Sequence, residues 1–172
     1  MTYQPSVTET DVFAALRTFL LTLNPSGCEV VRGFDNLVPT PASDFIAMSP
    51  IGIPRISTNE ESYNFDPLDI TNASISIRTG LKYTIQLDFV GSLSGSRSQA
   101  FTEIIRSETA CSLFPDTVTP LECTDPRYIQ MVTGEQQYID RWQTDIDLQY
   151  NPVITVLQQY AGDSQVTMIN VI

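Results

Sequence analysis

The chain has 172 residues, 42% of them hydrophobic and 17% charged, enough for one domain that needs neither disulfides nor a metal to hold a core. Nine Lys and Arg against 20 Asp and Glu give a formal net charge of −11, which excludes wrapping of nucleic acid, because binding phosphates takes cationic side chains. Histidine is absent, so Ser-His-Asp triads, Cys-His nucleophile pairs and histidine-containing zinc sites are excluded too.

The first predicted element is a helix. Val12, Phe13, Leu16, Phe19, Leu20 and Leu23 recur at helical spacing and form one apolar stripe. Thr8 and Asp11 have the spacing of a capping box, and Asn24-Pro25-Ser26-Gly27 stops the helix. Cys28 to Phe34 reads as a strand centred on Val30 and Val31, Asp35 to Ser43 as a proline-containing loop, and Asp44 to Ile51 as a second strand. Residues 52–72 carry Pro54, Pro67 and several turn formers; this stretch reads as an extended irregular arm that reaches a neighbour.

Strict alternation follows. Ile75, Ile77, Leu81, Tyr83, Ile85, Leu87 and Phe89 occupy odd positions, with Ser74, Ser76, Arg78, Lys82, Thr84, Gln86 and Asp88 between them, so one sheet face is buried and the other wet. Thr79-Gly80 either turns a hairpin or bulges one long strand. A second helix begins near Ser96, where Ser96 and Gln99 have capping-box spacing; Phe101, Ile104 and Ile105 form its apolar face and Pro115 lies past its end. Pro120 to Val132 is mixed, with a short strand at Tyr128 to Val132. Tyr138 to Tyr150 alternates as a half-buried strand, Asn151-Pro152 interrupts it, Val153 to Tyr160 continues as strand or loop, and Val166 to Ile172 makes a last strand.

Strands cluster instead of alternating with helices. The expected class is therefore α+β: an antiparallel or mixed sheet with two helices packed on one face, plus an extended irregular arm, in a single domain over residues 1–172.

Few residues point to chemistry. Cys28, Cys111 and Cys123 are odd in number, far apart and without a CxxC pair, which fits buried free thiols in a reducing compartment. Gly91 to Ser96 joins a strand to a helix but lacks the Lys of a phosphate-binding loop; it reads as a connection with a serine cap. Asp145 and Asp147 share a strand face about 6.6 Å apart along the backbone. That spacing could serve glycoside hydrolysis or a hard cation, yet both fall on the polar face, as solvated charges do. Asp140 falls in register with Tyr138 and Trp142, where it would pair with an Arg, for instance from another subunit. Asp125 and Arg127 flank Pro126 and, like Glu60 and Glu61, read as surface charge. The opening residues lack a basic start followed by an apolar run, and no apolar stretch approaches the ~20 residues of a membrane span; synthesis and folding in a cytoplasm are expected.

Three stretches carry a resemblance: Val30-Val31-Arg32-Gly33-Phe34-Asp35-Asn36-Leu37-Val38-Pro39; Met48-Ser49-Pro50 with Pro54-Arg55-Ile56-Ser57-Thr58-Asn59; and Tyr138-Ile139-Asp140-Arg141-Trp142 running to Leu148-Gln149-Tyr150-Asn151-Pro152-Val153. Together with the opening helix and the Asp88-Phe89-Val90-Gly91 turn, they resemble the neck and tail-terminator proteins of long-tailed phages. The resemblance implies a virion protein without catalytic residues, cofactor or metal. It implies a self-assembled ring, commonly of six, at the head-proximal end of the tail, which stops tube growth and joins tail to neck. The partners implied are the tail tube, the sheath where a tail has one, and neck or connector proteins, with no membrane. Genome DNA would pass through without specific binding, and the acidic excess could line the lumen. Arg32, Asn36, Pro39, Arg55, Asn59, Arg141, Asn151 and Pro152 match the family's recurring positions, as fold or interface residues; Asp140 joins them as an interface candidate. Three alternatives are another neck, collar, head-completion or tube subunit, or an assembly partner absent from the finished particle; a carboxylate enzyme using Asp145, Asp147 or Asp140; and a soluble binding module outside any phage.

Overall fold

The computed structural model describes residues 3–24, 28–33, 41, 44–65, 73–132 and 138–158. Asn36 and Pro39, the 35–43 loop apart from Pro41, the 25–27 helix stop, residues 66–72 of the arm, residues 159 and 160 of the segment after Pro152 and the 166–172 strand lie outside the described residues. The first helix, α1 (Glu9–Leu23), starts at the capping box expected of it: the Thr8 N–H donates to Asp11 Oδ2 at 2.8 Å, and the Asp11 N–H donates to Thr8 Oγ1 at 3.4 Å. Its stripe of Val12, Phe13, Leu16, Phe19 and Leu20 is buried. Each such side chain contributes about 1.5–3 kcal/mol by leaving water.

The main sheet contains β1 (Glu29–Arg32), β2 (Phe45–Gly52), β5 (Leu81–Val90), β10 (Arg141–Tyr150) and β6 (Val118–Cys123), in that order, with the short β7 (Arg127–Tyr128) beside β6 along the same edge of β10. The β1–β2 pair is parallel and the other pairs are antiparallel, so the sheet is mixed. One face takes Ile46, Met48, Tyr83, Ile85, Leu87, Phe89, Ile146 and Leu148, all fully or nearly fully buried. All the helices lie on that face. The Phe19 ring stands 6.0 Å from Phe101 of α2 (Ser94–Ile105) and 4.8 Å from Phe114, which ends α3 (Glu108–Leu113). Phe101 in turn meets Phe89 of β5 at 5.7 Å, which joins the helices to the sheet through one aromatic cluster.

A second sheet has the order β3 (Glu60–Asn64), β4 (Ser74–Arg78), β11 (Val153–Leu157), and a small hairpin pairs β8 (Met131–Val132) with β9 (Tyr138–Ile139). The fold is α+β, as the clustering of strands implies. Several local expectations are corrected. Thr79-Gly80 is neither a hairpin turn nor a bulge: β4 and β5 belong to different sheets, and the two residues carry the chain from one to the other. Asn151-Pro152 does the same between β10 and β11, opposite Thr79-Gly80, so both strands of one long antiparallel ribbon break at the same level.

Part of the 52–72 arm is ordered strand, since β3 pairs with β4 over five residues while all five remain exposed. The helix α2 begins at Ser94, with Leu93 at its N-cap and no side-chain cap, which places Ser96 inside the first turn. The third helix, α3, is too short to show an apolar period. The β6 strand was hidden by Pro120, which is tolerated because β6 is an edge strand. Asp140 interrupts the predicted 138–150 strand and separates β9 from β10. Asp88, placed on the wet face by parity, is 6% exposed.

Candidate functional site

The break between the two sheets gathers four of the residues singled out by resemblance. Arg55 makes an isolated bridge to Leu81 at the start of β5, and its guanidinium donates to Asn59 Oδ1. The same oxygen accepts the Thr79 hydroxyl at 2.9 Å. The Gly80 N–H donates to Ser57 Oγ at 2.9 Å, the Ile56 N–H to the Gly80 carbonyl at 3.0 Å, and the Lys82 N–H to the Pro54 carbonyl at 3.0 Å. Across the ribbon, the Thr79 N–H reaches the Pro152 carbonyl at 3.3 Å and Gln149 Nε2 donates to Asn151 Oδ1 at 3.3 Å.

Residues 54–59 therefore lie against the ribbon where it leaves the main sheet. They supply partners to backbone groups that a broken ladder would otherwise leave unpaired. A cleft of about 630 Å³ opens there, lined by residues that include Ser57, Asn59, Arg78, Gln149 and Asn151. Gly80 is buried and has no room for a side chain: a Cβ would stand 2.8 Å from Ser57 Oγ. The arrangement is a joint that sets the direction of the second sheet.

The helix-free face of the main sheet is a lattice of paired charges. Lys82 Nζ lies 2.8 Å from Asp147 Oδ2, and the Thr84 hydroxyl donates to Asp147 Oδ1 at 2.5 Å. The bond to Asp147 raises the Lys82 ammonium above its ordinary value. Arg141 donates to Asp88 Oδ1 through Nε at 3.0 Å and Nη2 at 2.9 Å, and Gln86 donates to Asp88 Oδ2 at 2.9 Å. Arg127 reaches Asp145 Oδ2 at 3.3 Å. Asp145 and Asp147 share this face as the alternation implies, each beside its own cation. Asp145 Oδ1 is buried with no hydrogen-bond partner among the described residues. No group of three or more His, Cys, Asp or Glu side chains is placed to hold a metal ion among the described residues.

The remaining candidates find partners inside the chain. Arg32 pairs with Glu9 at the start of α1, and its guanidinium carbon lies 4.5 Å from the centroid of the Phe13 ring. Asp140 is exposed and accepts the Tyr128 hydroxyl at 3.2 Å, while its carbonyl accepts the Gly91 N–H at 3.0 Å. Gly91 adopts a φ of 116°, a conformation that favours glycine, and the Asp44 carboxylate occupies the space a side chain would need. Asp44 accepts the Ser92 N–H at 3.2 Å and pairs with Arg97 at 2.8 Å, so this carboxylate orders the entry to α2, whose N-cap Leu93 makes no side-chain cap. Asp125 pairs with Arg106 at 2.8 Å. Cys28 and Cys123 are buried free thiols, with burial raising both above the ordinary value; Cys111 is free but exposed, against the expectation of burial.

Sequence reasoning passed over Ser57, Gly80, Asp44, Asp88 and Lys82. Their partners lie between 23 and 65 residues away in the chain, a separation that no local pattern reveals. For Gly80 alone there was a cue, since a lone glycine inside an alternating stretch marks a close backbone approach.

Among the described residues no helix is long and apolar enough to cross a membrane. No curated protein is significantly similar to the chain. A family profile described as phage neck terminator protein matches residues 10–171.

Proposed function

Because the chain belongs to the phage neck terminator protein family, a structural family of the virion's tail and neck, we propose that it works as a ring at the head-proximal end of the tail. In this reading the ring, commonly of six copies, ends growth of the tail tube and joins the tail to the neck. The observation that carries it is the extent of the match, which runs from the first turn of α1 through both sheets. The family itself implies association with other tail and neck proteins.

Two features of the structure support the mechanical part. The joint at Gly80 and Asn151 holds a second sheet against the end of the main one, and residues 53–59 remain exposed along the way, where a neighbouring copy could meet them. Exposed apolar side chains on this stretch include Ile53 and Ile56. Such a contact meets a different surface on the next copy, which is the geometry a closed ring requires.

The charges support passage of the genome without capture. Six of the nine cationic side chains, Arg32, Lys82, Arg97, Arg106, Arg127 and Arg141, sit in ion pairs with carboxylates of the same chain. Little positive charge is left to neutralise phosphates, and 20 acidic residues repel them.

Electron microscopy of the purified protein tests the first step: rings of uniform symmetry are expected. Phage particles assembled without the protein test the second, with tubes of unregulated length or tails that fail to join heads. A protein that stays monomeric at high concentration, together with normal tails in its absence, refutes the reading.

A further inference from the structure

We propose that the outer edge of β11 is the docking edge for a β-strand of a second copy of this chain. The inference rests on the reading that copies assemble, and it names where they meet.

The direction of the backbone groups follows from three contacts. The Gln158 N–H bonds the Ala73 carbonyl at 2.8 Å and the Thr79 N–H bonds the Pro152 carbonyl at 3.3 Å, so the even-numbered residues of β11 carry the ladder to β4. The odd-numbered residues then present their N–H and C=O groups outward. Ser6 confirms this at Val153: its N–H donates to the Val153 carbonyl at 3.0 Å, and the Val153 N–H donates to its hydroxyl at 3.0 Å. Beyond Ser6, the outward groups of Thr155 and Leu157 meet no strand among the described residues, and both residues are exposed, Leu157 at 56%.

The edges of the main sheet and the far edge of the second sheet are guarded. At β1, Arg17 Nε donates to the Val30 carbonyl at 3.3 Å. At β6, Pro120 removes a donor and Arg106 caps the Cys123 carbonyl at 2.8 Å. The β3 strand carries Glu60 and Glu61 on exposed positions. These are the devices by which proteins prevent edge-to-edge association. Ser6 covers the β11 edge at Val153 alone; beyond it Ile154-Thr155-Val156-Leu157 has none of these devices, and the strand is uncharged, β-branched at four of five positions and regularly paired.

The second copy is the occupant that the charge favours. Two chains of net charge −11 repel each other wherever carboxylates face carboxylates, whereas residues 151–162 contain no charged residue at all. A neutral edge lets identical acidic copies approach, and backbone hydrogen bonds then supply the contact.

Thr155→Pro tests this, because it removes an outward N–H while leaving the bonds from Ile154 and Val156 to β4. Association measured by native mass spectrometry and analytical ultracentrifugation is expected to weaken about tenfold or more, with the circular dichroism spectrum and urea midpoint near those of the parent chain. Amide hydrogen exchange on the unaltered protein gives a second readout: the Thr155 and Leu157 amides exchange fast when dilute and slow when assembled, while those of Ile154 and Val156 stay slow throughout. Rings that form normally with Thr155→Pro, or assembled particles in which the Thr155 and Leu157 amides still exchange fast, overturn the docking edge and leave the ring reading standing. A parent chain that never associates overturns both.

Discussion

Replacing Gly80 with alanine puts a methyl group into the joint, and its cost follows from three distances. The Gly80 φ lies outside the left-handed region, so the substitution meets packing and no backbone strain. The new Cβ would lie 2.8 Å from Ser57 Oγ, 3.2 Å from Ile56 Cγ1 and 3.5 Å from Asn151 Oδ1. Ser57 Oγ already accepts the Gly80 N–H at 2.9 Å, so it cannot retreat from the methyl without weakening that bond. The lost bond costs about 1 kcal/mol and overpacking about 1–3 kcal/mol. A stiffer unfolded chain returns about 0.5 kcal/mol. The expected net loss is about 2 kcal/mol, or roughly 4–8 °C in Tm for a chain this size. Urea unfolding of the parent, Gly80→Ala, Ser57→Ala and the double variant isolates the cause. Ser57→Ala alone should cost about 1–2 kcal/mol by leaving a buried N–H unpaired. In the double variant the methyl takes the space the hydroxyl vacated, so Gly80→Ala adds almost nothing further. Costs that add to within about 0.5 kcal/mol would mean that the methyl and the hydroxyl never met, and the account of the joint would be wrong.

Three other perturbations reach different parts of the fold. Arg141→Met keeps the aliphatic stem but leaves the Asp88 carboxylate with only Gln86 as a side-chain partner; a loss of about 2 kcal/mol in urea unfolding is expected, with partial recovery on adding Asp88→Asn. The Asp11 carboxyl is held below its ordinary value of 3.8 by hydrogen bonds from the Thr8 side chain and backbone. A depressed folded-state value stabilises the protein above pH 3.8 and loses that effect as pH falls through the folded value, so the stability difference between the parent and Asp11→Ala should shrink in that window. In the native protein iodoacetamide should modify Cys111 and spare Cys28 and Cys123 until the chain unfolds, which mass spectrometry of the intact protein reads as a single addition.

The legible parts of the fold are those written in local periods. The α1 stripe and its Thr8–Asp11 box are helical repeats within sixteen residues, and the alternation along β5 and β10 follows from one buried face. What parity could not show is that Thr79-Gly80 and Asn151-Pro152 face each other and move both strands into another sheet, because that depends on which strands pair. Asp88 kept the parity of a wet position and still became buried, since Arg141, 53 residues on, came to lie on it. The exposed β3 strand could not be found from burial at all: with five exposed residues it has no apolar period, and only its ladder with β4 makes it a strand.

The site was legible only through whole segments. Arg55, Asn59, Asn151 and Pro152 share no motif and no spacing, yet they meet around Gly80, where each either bonds a neighbour's side chain or offers a carbonyl to the opposite strand. A joint of this kind also explains why polar residues sit where a ladder stops. Two strands that part from their sheet at the same level stay paired with each other, but the groups that would face the next strand of the sheet, such as the Gly80 N–H, lose that partner, and a neutral hydroxyl satisfies them at lower desolvation cost than a charge would. Apart from Arg55 and Arg78, which lie at the joint, cations are spent elsewhere: Lys82, Arg97, Arg127 and Arg141 neutralise carboxylates on the open face of the main sheet and at the ends of its strands. In the proposed ring each copy would combine an acidic excess that repels phosphates with an uncharged strand at which another copy can approach. A subunit whose contacts lay among its carboxylates would assemble only at high salt, where screening shortens their reach to a few ångströms. Assembly through the β11 edge should instead persist at low ionic strength.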